Sequence, residues 1–273
     1  MIKLKNILNE DEPKKEKETA ESEPAKTLTS VDFIDSKTRD KIYGVSKDIR
    51  PDLRKKVLRL NFDDFLKKFD NTMLKYTAGE KSEEQDVKKI GNQVQSISLA
   101  KHAIFNTFKL DSIVKNAGLE YYKKSKEINS LLRTGIITDK KLSPIVKTLD
   151  EYFKSDDSRL RYTVTVYRGV SDLNVFKELV KIGSWQELGF LSTSLNPLIS
   201  QKFTEGGSVA ESMRTPVFKI NLKAGTPALM LSCDDDPFCT DTEITLPRGC
   251  KLTVVDKNED MNIYTLSVEI PNA

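Results

Sequence analysis

The spacing of the hydrophobic residues changes near residue 160, and this change limits the folds that the chain can adopt. Between about residues 50 and 155, apolar residues such as Leu58, Phe62 and Phe65 recur at three- to four-residue intervals, a spacing that predicts amphipathic helices. The segment RYTVTVYRG then alternates strictly, and short β-rich runs separated by Gly, Pro and Asp follow it. Helices first and strands afterwards predict an α+β fold.

Composition divides the chain of 273 residues into three predicted parts. Residues 9–29 contain one leucine, no aromatic residue and many charges of both signs. Because such a segment buries too little surface to offset its ordering entropy, we expect residues 1–29 to be a disordered charged tail. Residues 30–155 are expected to form a helical subdomain, and residues 156–273 a β-rich core.

Charge, hydropathy and cysteine content argue against several classes of partner. The net charge is +3, from 44 basic and 41 acidic residues, which gives no reason to expect a nucleic-acid partner. No apolar run reaches the roughly 20 residues that cross a bilayer, and the N-terminus does not resemble a secretory signal, so we expect a cytoplasmic site of action and no membrane partner. Cys233, Cys239 and Cys250 with the single His102 have no metal-ligand spacing, so we expect no metal site. The sequence does not decide whether Cys233 and Cys239 form a disulfide.

Three strand-associated segments carry the polar residues that indicate a function. VYRG ends in Arg168 and Gly169, GFLSTSL contains Ser192, and DTEITLPRG contains Asp241 and Glu243. If the last segment is a strand, its two acids lie on one face, because strand side chains repeat every second residue. Taken singly, each segment is also what an ordinary solvated strand contains.

In this order the three segments resemble the arginine–serine–glutamate class of mono-ADP-ribosyltransferases, over about residues 118–255. That class includes bacterial actin- and Rho-modifying toxins and the transferases of T4-like phages. The resemblance implies NAD as co-substrate and release of nicotinamide. It also implies a split two-sheet β-sandwich core, on which the helical subdomain closes one side of the NAD cleft. His102 lies on a helical stretch, which excludes the related histidine–tyrosine–glutamate class.

The resemblance assigns a role to each residue of the three segments. Glu243 would contact the ribose 2′-hydroxyl and stabilise the developing oxocarbenium ion, as carboxylates do in sugar hydrolysis. Arg168 would bind the pyrophosphate, since the planar guanidinium suits phosphate oxygens. Gly169 would let the backbone approach the nicotinamide amide, and Ser192 would bond the ribose and hold Glu243 in place. Asp241 would orient or deprotonate the acceptor.

A predicted helix, GLEYYKKSKEINSLLRTG, resembles the helix that contacts the adenosine side of NAD in the toxins. It should end at Gly135, in the position that favours glycine. Asn129 and Arg133 match the binding positions and lie four residues apart, on one helical face. The resemblance leaves open which of Tyr121 and Tyr122, if either, flanks the adenine.

Five further residues complete the predicted site, each with plain packing or solvation as its alternative. The resemblance adds Thr193 and Ser194 to the NAD site. It also adds Phe203 over the nicotinamide and Arg214 on a phosphate. Phe238, in a loop five residues before the catalytic glutamate, matches the aromatic residue that related toxins present to their protein substrate.

We predict that the chain transfers ADP-ribose to a host protein. Arginine-specific members of the class carry Glu at the first acid position, where this chain has Asp241. Aspartate is shorter by one methylene, but it keeps the negative charge that could orient or deprotonate a guanidinium. We therefore favour an arginine acceptor. Three alternatives stay open: an NAD glycohydrolase, an enzyme that modifies nucleic acid, and a non-catalytic virion or interaction protein. A phage-carried modifier and a bacterial effector are both compatible with the sequence.

Overall fold

A computed structural model describes residues 62–79, 82–105, 110–135, 139–170, 173–202, 216–231, 242–259 and 262–271. Several predictions fall outside these ranges. They are the tail over residues 1–29, the Cys233–Cys239 pair, and the site candidates Phe203, Arg214, Phe238 and Asp241.

In the described part of the chain, four α-helices precede the first strand. They are α1 (Asp63–Thr77), α2 (Ser82–Phe105), α3 (Ser112–Thr134) and α4 (Ser143–Lys154). Helix α3 begins at Asp111, whose side chain accepts hydrogen bonds from the Ile113 and Val114 amides, and it ends at Gly135 with φ +73°. The prediction that this helix ends at Gly135 is confirmed. Among the described helices, none combines the length and apolar character needed to span a membrane.

Seven strands in the described ranges form one mixed sheet in the order β2-β6-β7-β4-β1-β3-β5. They are β1 (Val164–Arg168), β2 (Ser184–Glu187), β3 (Leu191–Ser194), β4 (Val217–Leu222), β5 (Glu243–Leu246), β6 (Cys250–Asn258) and β7 (Ile263–Glu269). Strands β4 and β7 are parallel, whereas all the other neighbours are antiparallel. The predicted α+β core is confirmed. Its three-stranded and four-stranded antiparallel sets are joined at the parallel pair.

Two short helices lie between the strands. Helix α5 (Leu173–Ile182) separates β1 from β2, and helix α6 (Pro197–Lys202) follows β3. The second begins where Asn196 accepts a bond from the Leu198 amide through Oδ1. The sequence signal for this helix is Asn196-Pro197, in which proline occupies the first helical turn without losing a hydrogen bond.

Helices α3 and α4 pack against the start of β3. Their shared core contains Tyr121, Leu149, Phe153, Phe190 and Leu229, all at most 5 % exposed. The Tyr121 and Phe190 rings meet edge to face, with 5.2 Å between their centroids. Because edge-to-face aromatic pairs contribute about 0.5–1.5 kcal/mol beyond the area that they bury, this contact stabilises α3 beside the strand that carries the Ser-Thr-Ser string.

Helices α1 and α2 pack on a different part of the sheet. Their apolar residues form a cluster with Tyr167, Leu198, Val217 and Ile263. Asn196 donates from Nδ2 to Gln95 Oε1 of α2 at 2.6 Å, which ties this helix to the segment after β3. Helix α3 therefore contacts β3 at Ser192, and α2 contacts the segment that follows β3.

Candidate active site

Strands β3 and β5 bring Ser192 and Glu243 to one face of the sheet. Ser192 lies opposite Thr245, and Ser194 lies opposite Glu243. Opposite residues of an antiparallel pair project their side chains to the same side, so Ser192 and Glu243 share a face. The Thr245 hydroxyl donates to Glu243 Oε1 at 3.0 Å and holds the carboxylate along its own strand.

Arg168 joins this pair from the end of β1. Its Nη1 donates to the Ser192 carbonyl oxygen at 2.8 Å. The Arg168 guanidinium lies near enough to Glu243 for the carboxylate charge to act on its pKa, although burial has the larger effect and lowers that pKa. The structure therefore brings together Arg168, Ser192 and Glu243, the three residues that carry the resemblance to the transferase class. Gly169 follows directly and is half-buried.

Arg168 and Arg133 converge on one carboxylate that sequence reasoning missed, that of Glu187. Arg133 donates from Nε to Oε1 at 2.9 Å and from Nη2 to Oε2 at 3.1 Å. Arg168 donates from Nη2 to Oε2 at 3.2 Å. No sequence pattern marks Glu187, because its partners stand 54 and 19 positions away in the chain.

The charges of this cluster compensate one another. Burial acts to raise the pKa of Glu187, but the hydrogen bond from Arg133 and the charges of both arginines outweigh it and the pKa falls below its ordinary value. The carboxylate is therefore ionised at neutral pH. Two guanidinium groups and one carboxylate give this cluster a formal charge of +1, and the Glu243 carboxylate near Arg168 brings the formal charge of the whole site to zero.

Tyr121 and Asn129 of α3 form a buried hydrogen-bond network that ends at the Ser192 hydroxyl. The Tyr121 hydroxyl lies 2.9 Å from Ser192 Oγ and accepts a bond from Asn129 Nδ2 at 3.1 Å. Asn129 also accepts from the Phe190 amide at 2.9 Å and donates to the Phe190 carbonyl oxygen at 3.2 Å. Burial and the nearby Glu243 charge raise the pKa of Tyr121, so its hydroxyl stays protonated.

This network bears on two predictions about NAD. Tyr121 is completely buried whereas Tyr122 is half-buried. Asn129 directs both ends of its amide into the protein. That these residues and Arg133 contact the adenosine side of NAD stays a prediction.

Thr193 and Ser194 direct their hydroxyls into the protein. Thr193 donates from Oγ1 to the Ile244 carbonyl oxygen at 2.6 Å. Ser194 Oγ accepts from the Asn196 amide at 2.9 Å and lies 3.1 Å from Thr242 Oγ1. These bonds join β3 to β5 and to the turn that follows. The predicted contact of both residues with NAD stays a prediction.

Thr242, which stands between the two acids Asp241 and Glu243, does not have the backbone conformation of a strand. Strand β5 begins at Glu243, and Thr242 has φ +47°, a conformation rare for a β-branched residue. The residue is fully buried, and its carbonyl oxygen accepts from the Leu195 amide at 3.1 Å. The condition for placing the two acids on one face, a strand that runs through this segment, is therefore not met at Thr242, where the backbone is left-handed.

Two further observations limit the chemistry of the described residues. Among them, no group of three or more His, Cys, Asp and Glu side chains could hold a metal ion. Cys250 is a buried free thiol, and burial raises its pKa to about 12. It is therefore protonated at neutral pH and is not a nucleophile.

The family model for the ADP-ribosyltransferase exoenzyme matches residues 109–269. This chain belongs to that family. The match covers the whole sheet together with α3, and therefore includes Arg168, Ser192 and Glu243. The suspected transferase class is confirmed at the level of the family.

Solved structures of bacterial transferases resemble the fold. C3stau2 from S. aureus, solved with NAD, is 22 % identical with a TM-score of 0.46, over 60 % of this chain and 89 % of that one. The Clostridium limosum C3 exoenzyme is 20 % identical with a TM-score of 0.45, over 65 % and 94 %. Exoenzyme S from Pseudomonas aeruginosa, solved with human 14-3-3 protein beta and carba-NAD, is 16 % identical with a TM-score of 0.45, over 58 % and 74 %. No curated protein sequence matches the chain.

Proposed function

We propose that this ADP-ribosyltransferase uses NAD, releases nicotinamide and transfers ADP-ribose to an arginine side chain of a host protein. The observation that carries the proposal is the convergence of Arg168, Ser192 and Glu243, which lie on three neighbouring strands although 75 positions separate the first from the last. Family membership supplies the reaction class. The arrangement of charges supports the choice of NAD.

A pyrophosphate fits the cationic side of the site. Arg168 and Arg133 bind a common carboxylate, so their guanidinium groups lie next to each other. The Arg133 side chain is 47 % exposed and that of Arg168 is 19 % exposed. Guanidinium groups bind phosphate oxygens in a bidentate manner, and two of them can bind adjacent phosphates.

Glu243 fits the cleavage step. When the bond between the ribose C1′ and the nicotinamide nitrogen breaks, its electron pair leaves with nicotinamide and the ribose becomes cationic. A half-buried carboxylate held by Thr245 is already oriented and stabilises that cation without reorganising. An acceptor guanidine nitrogen then bonds to C1′ and loses a proton, for which we assign Asp241 as the base.

The other predicted residues complete the proposal. We assign Gly169 to the nicotinamide amide, Phe203 to the nicotinamide ring, Arg214 to a phosphate and Phe238 to the protein substrate. The helical subdomain over residues 30–155 would close one side of the NAD cleft. The contacts of α3 with Glu187 and Phe190 support this, because they place that helix beside β3.

Labelled NAD distinguishes transfer from its alternatives. The full chain would be incubated with NAD labelled in the adenosine part, and with host lysate or a small guanidino compound. We expect label on the guanidino compound and on protease-sensitive macromolecules. Nicotinamide release without labelled product would indicate a glycohydrolase, nuclease-sensitive label would indicate a nucleic-acid acceptor, and unchanged NAD would refute the proposal.

Two variants separate cleavage from transfer. Glu243→Gln should lower both activities by at least ~10²–10³-fold, the usual effect of removing one preorganised group. Asp241→Ala should lower transfer to the guanidino compound while hydrolysis continues. Glu178→Gln makes the same chemical change on the exposed surface of α5 and serves as the control. An unchanged transfer rate in Asp241→Ala would refute the role of the first acid.

A further inference from the structure

The carboxylate of Glu187 lies between the two arginines of the proposed NAD site. We propose that Glu187 is a positioning residue, which holds Arg133 and Arg168 side by side in the arrangement that binds the pyrophosphate. That the ligand is NAD rests on the proposed function, whereas the arrangement of the three side chains is independent of it.

Both oxygens of Glu187 are saturated with hydrogen bonds. Oε1 accepts from Arg133 Nε at 2.9 Å and from the Gly189 amide at 3.0 Å. Oε2 accepts from Arg133 Nη2 at 3.1 Å and from Arg168 Nη2 at 3.2 Å. A carboxylate has about four acceptor sites, and its side chain is only 10 % exposed here. Its orientation is therefore fixed, and it fixes both guanidinium groups in turn.

Charge explains why the pair needs this residue. Arg133 lowers the pKa of Arg168, whereas Glu187 raises it, so the two guanidinium groups are close enough to repel each other. Without the Glu187 carboxylate, two positive charges would remain in a partly buried site, and the repulsion between them would be less strongly opposed. Arg133, which is half exposed, would turn towards solvent, and the pair would separate.

The backbone around Glu187 extends its influence to β3. Glu187 is the last residue of β2, and its carbonyl oxygen accepts from the Gly249 amide at 2.7 Å. Its side chain accepts the amide of Gly189, two residues later. The carboxylate thus shapes the turn that leads from β2 into the strand bearing Ser192.

Substitutions distinguish position from charge. Glutamine keeps the size of Glu187 but turns one acceptor into a donor, which would face the donors of an arginine. Aspartate keeps the charge but is too short to reach both arginines. Positioning therefore predicts that both variants weaken NAD binding. A residue acting only as a negative charge predicts the opposite for Glu187→Gln, since removing that charge favours an anionic ligand.

The experiment measures nicotinamide release against NAD concentration, and NAD binding by calorimetry. In Glu187→Gln and Glu187→Asp we expect the KM and Kd for NAD to rise about 10- to 100-fold, the effect of losing a charged hydrogen bond, with a smaller change in kcat. Arg133→Ala should raise KM as well, and the double variant with Glu187→Gln should be less impaired than the two single effects combined. Glu269→Gln, from an exposed pair with Lys251, is the control.

Each result has a distinct meaning. Unchanged or tighter NAD binding in Glu187→Gln, or independent effects of Glu187 and Arg133, would overturn the inference while leaving the proposed function intact. A wild-type chain that neither binds nor consumes NAD would refute the proposed function itself. If Glu187→Gln fails to fold by circular dichroism, Glu187→Asp decides, because a purely electrostatic role predicts that its KM is unchanged.

Discussion

Gly189→Ala should destabilise the protein although it adds only one methyl group. A Cβ at this position would lie 2.8 Å from Asn129 Oδ1, 3.0 Å from its Cγ and 3.1 Å from its Cβ. Asn129 cannot easily move aside, since it is buried and hydrogen-bonds both the Phe190 backbone and Tyr121. The new methyl group must therefore displace a side chain that holds α3 to β3.

The magnitude follows from these contacts. Overpacking a tight interior costs about 1–3 kcal/mol, and loss of the Asn129 bond to the Phe190 amide adds about 1 kcal/mol. Alanine also lowers the conformational entropy of the unfolded chain, which stabilises the folded variant by about 0.4–1 kcal/mol. We expect the free energy of unfolding to fall by about 1–3 kcal/mol. Nicotinamide release should fall too, because Asn129 supports Tyr121 under Ser192.

Gly91→Ala is the matched control for this measurement. Gly91 lies inside α2, and a Cβ there would meet no atom within 4 Å apart from the adjacent residues and backbone of its own helix. Alanine should therefore stabilise that helix by about 0.5–1 kcal/mol. Denaturant unfolding of both variants at pH 7 gives the two values. A Gly189→Ala variant as stable as the wild type would show that the Asn129 contact is not rigid and would refute the reasoning.

Two further predictions concern buried polar groups. Tyr121→Phe should lower the free energy of unfolding by about 1–3 kcal/mol, because Ser192 and Asn129 each lose a buried partner; denaturant unfolding measures this, and an unchanged midpoint would contradict it. Burial lowers the pKa of His102 from 6.5 to about 4, so the unfolded chain takes up the proton first as pH falls. The stability from the neutral imidazole is present above pH 6.5 and is lost towards pH 4, by about 2 kcal/mol between pH 7 and pH 5. Unfolding of wild type and His102→Gln at both pH values tests this, and equal losses in the two would refute it.

The sequence predicted the features that depend on local geometry. The change in hydrophobic period near residue 160 predicted helices before strands, because side chains repeat every 3.6 residues in a helix and every two in a strand. The end of α3 at Gly135 followed from the left-handed conformation that ends many helices. The order of Arg168, Ser192 and Glu243 identified the transferase family.

The same local reasoning failed where a contact between distant segments decides the conformation. The two acids would lie on one face only if a strand ran through Thr242, but that residue is left-handed and bonded to Leu195, just after β3. Thr193 and Ser194 were assigned to the NAD site from their motif, and that contact stays a prediction. Their hydroxyls bond the neighbouring strand and turn, which no property of a three-residue string reveals.

What the sequence by itself determined is therefore the order of elements, the family and the three residues that the family motif carries. Only the tertiary structure decided that Glu187 joins Arg133 to Arg168, that Tyr121 lies under Ser192 and that Thr245 holds Glu243. The physical reason is that periodicity arises from covalent geometry within a few residues. Partners in a buried polar cluster are chosen by which strands and helices pack together, and here they stand up to 71 positions apart.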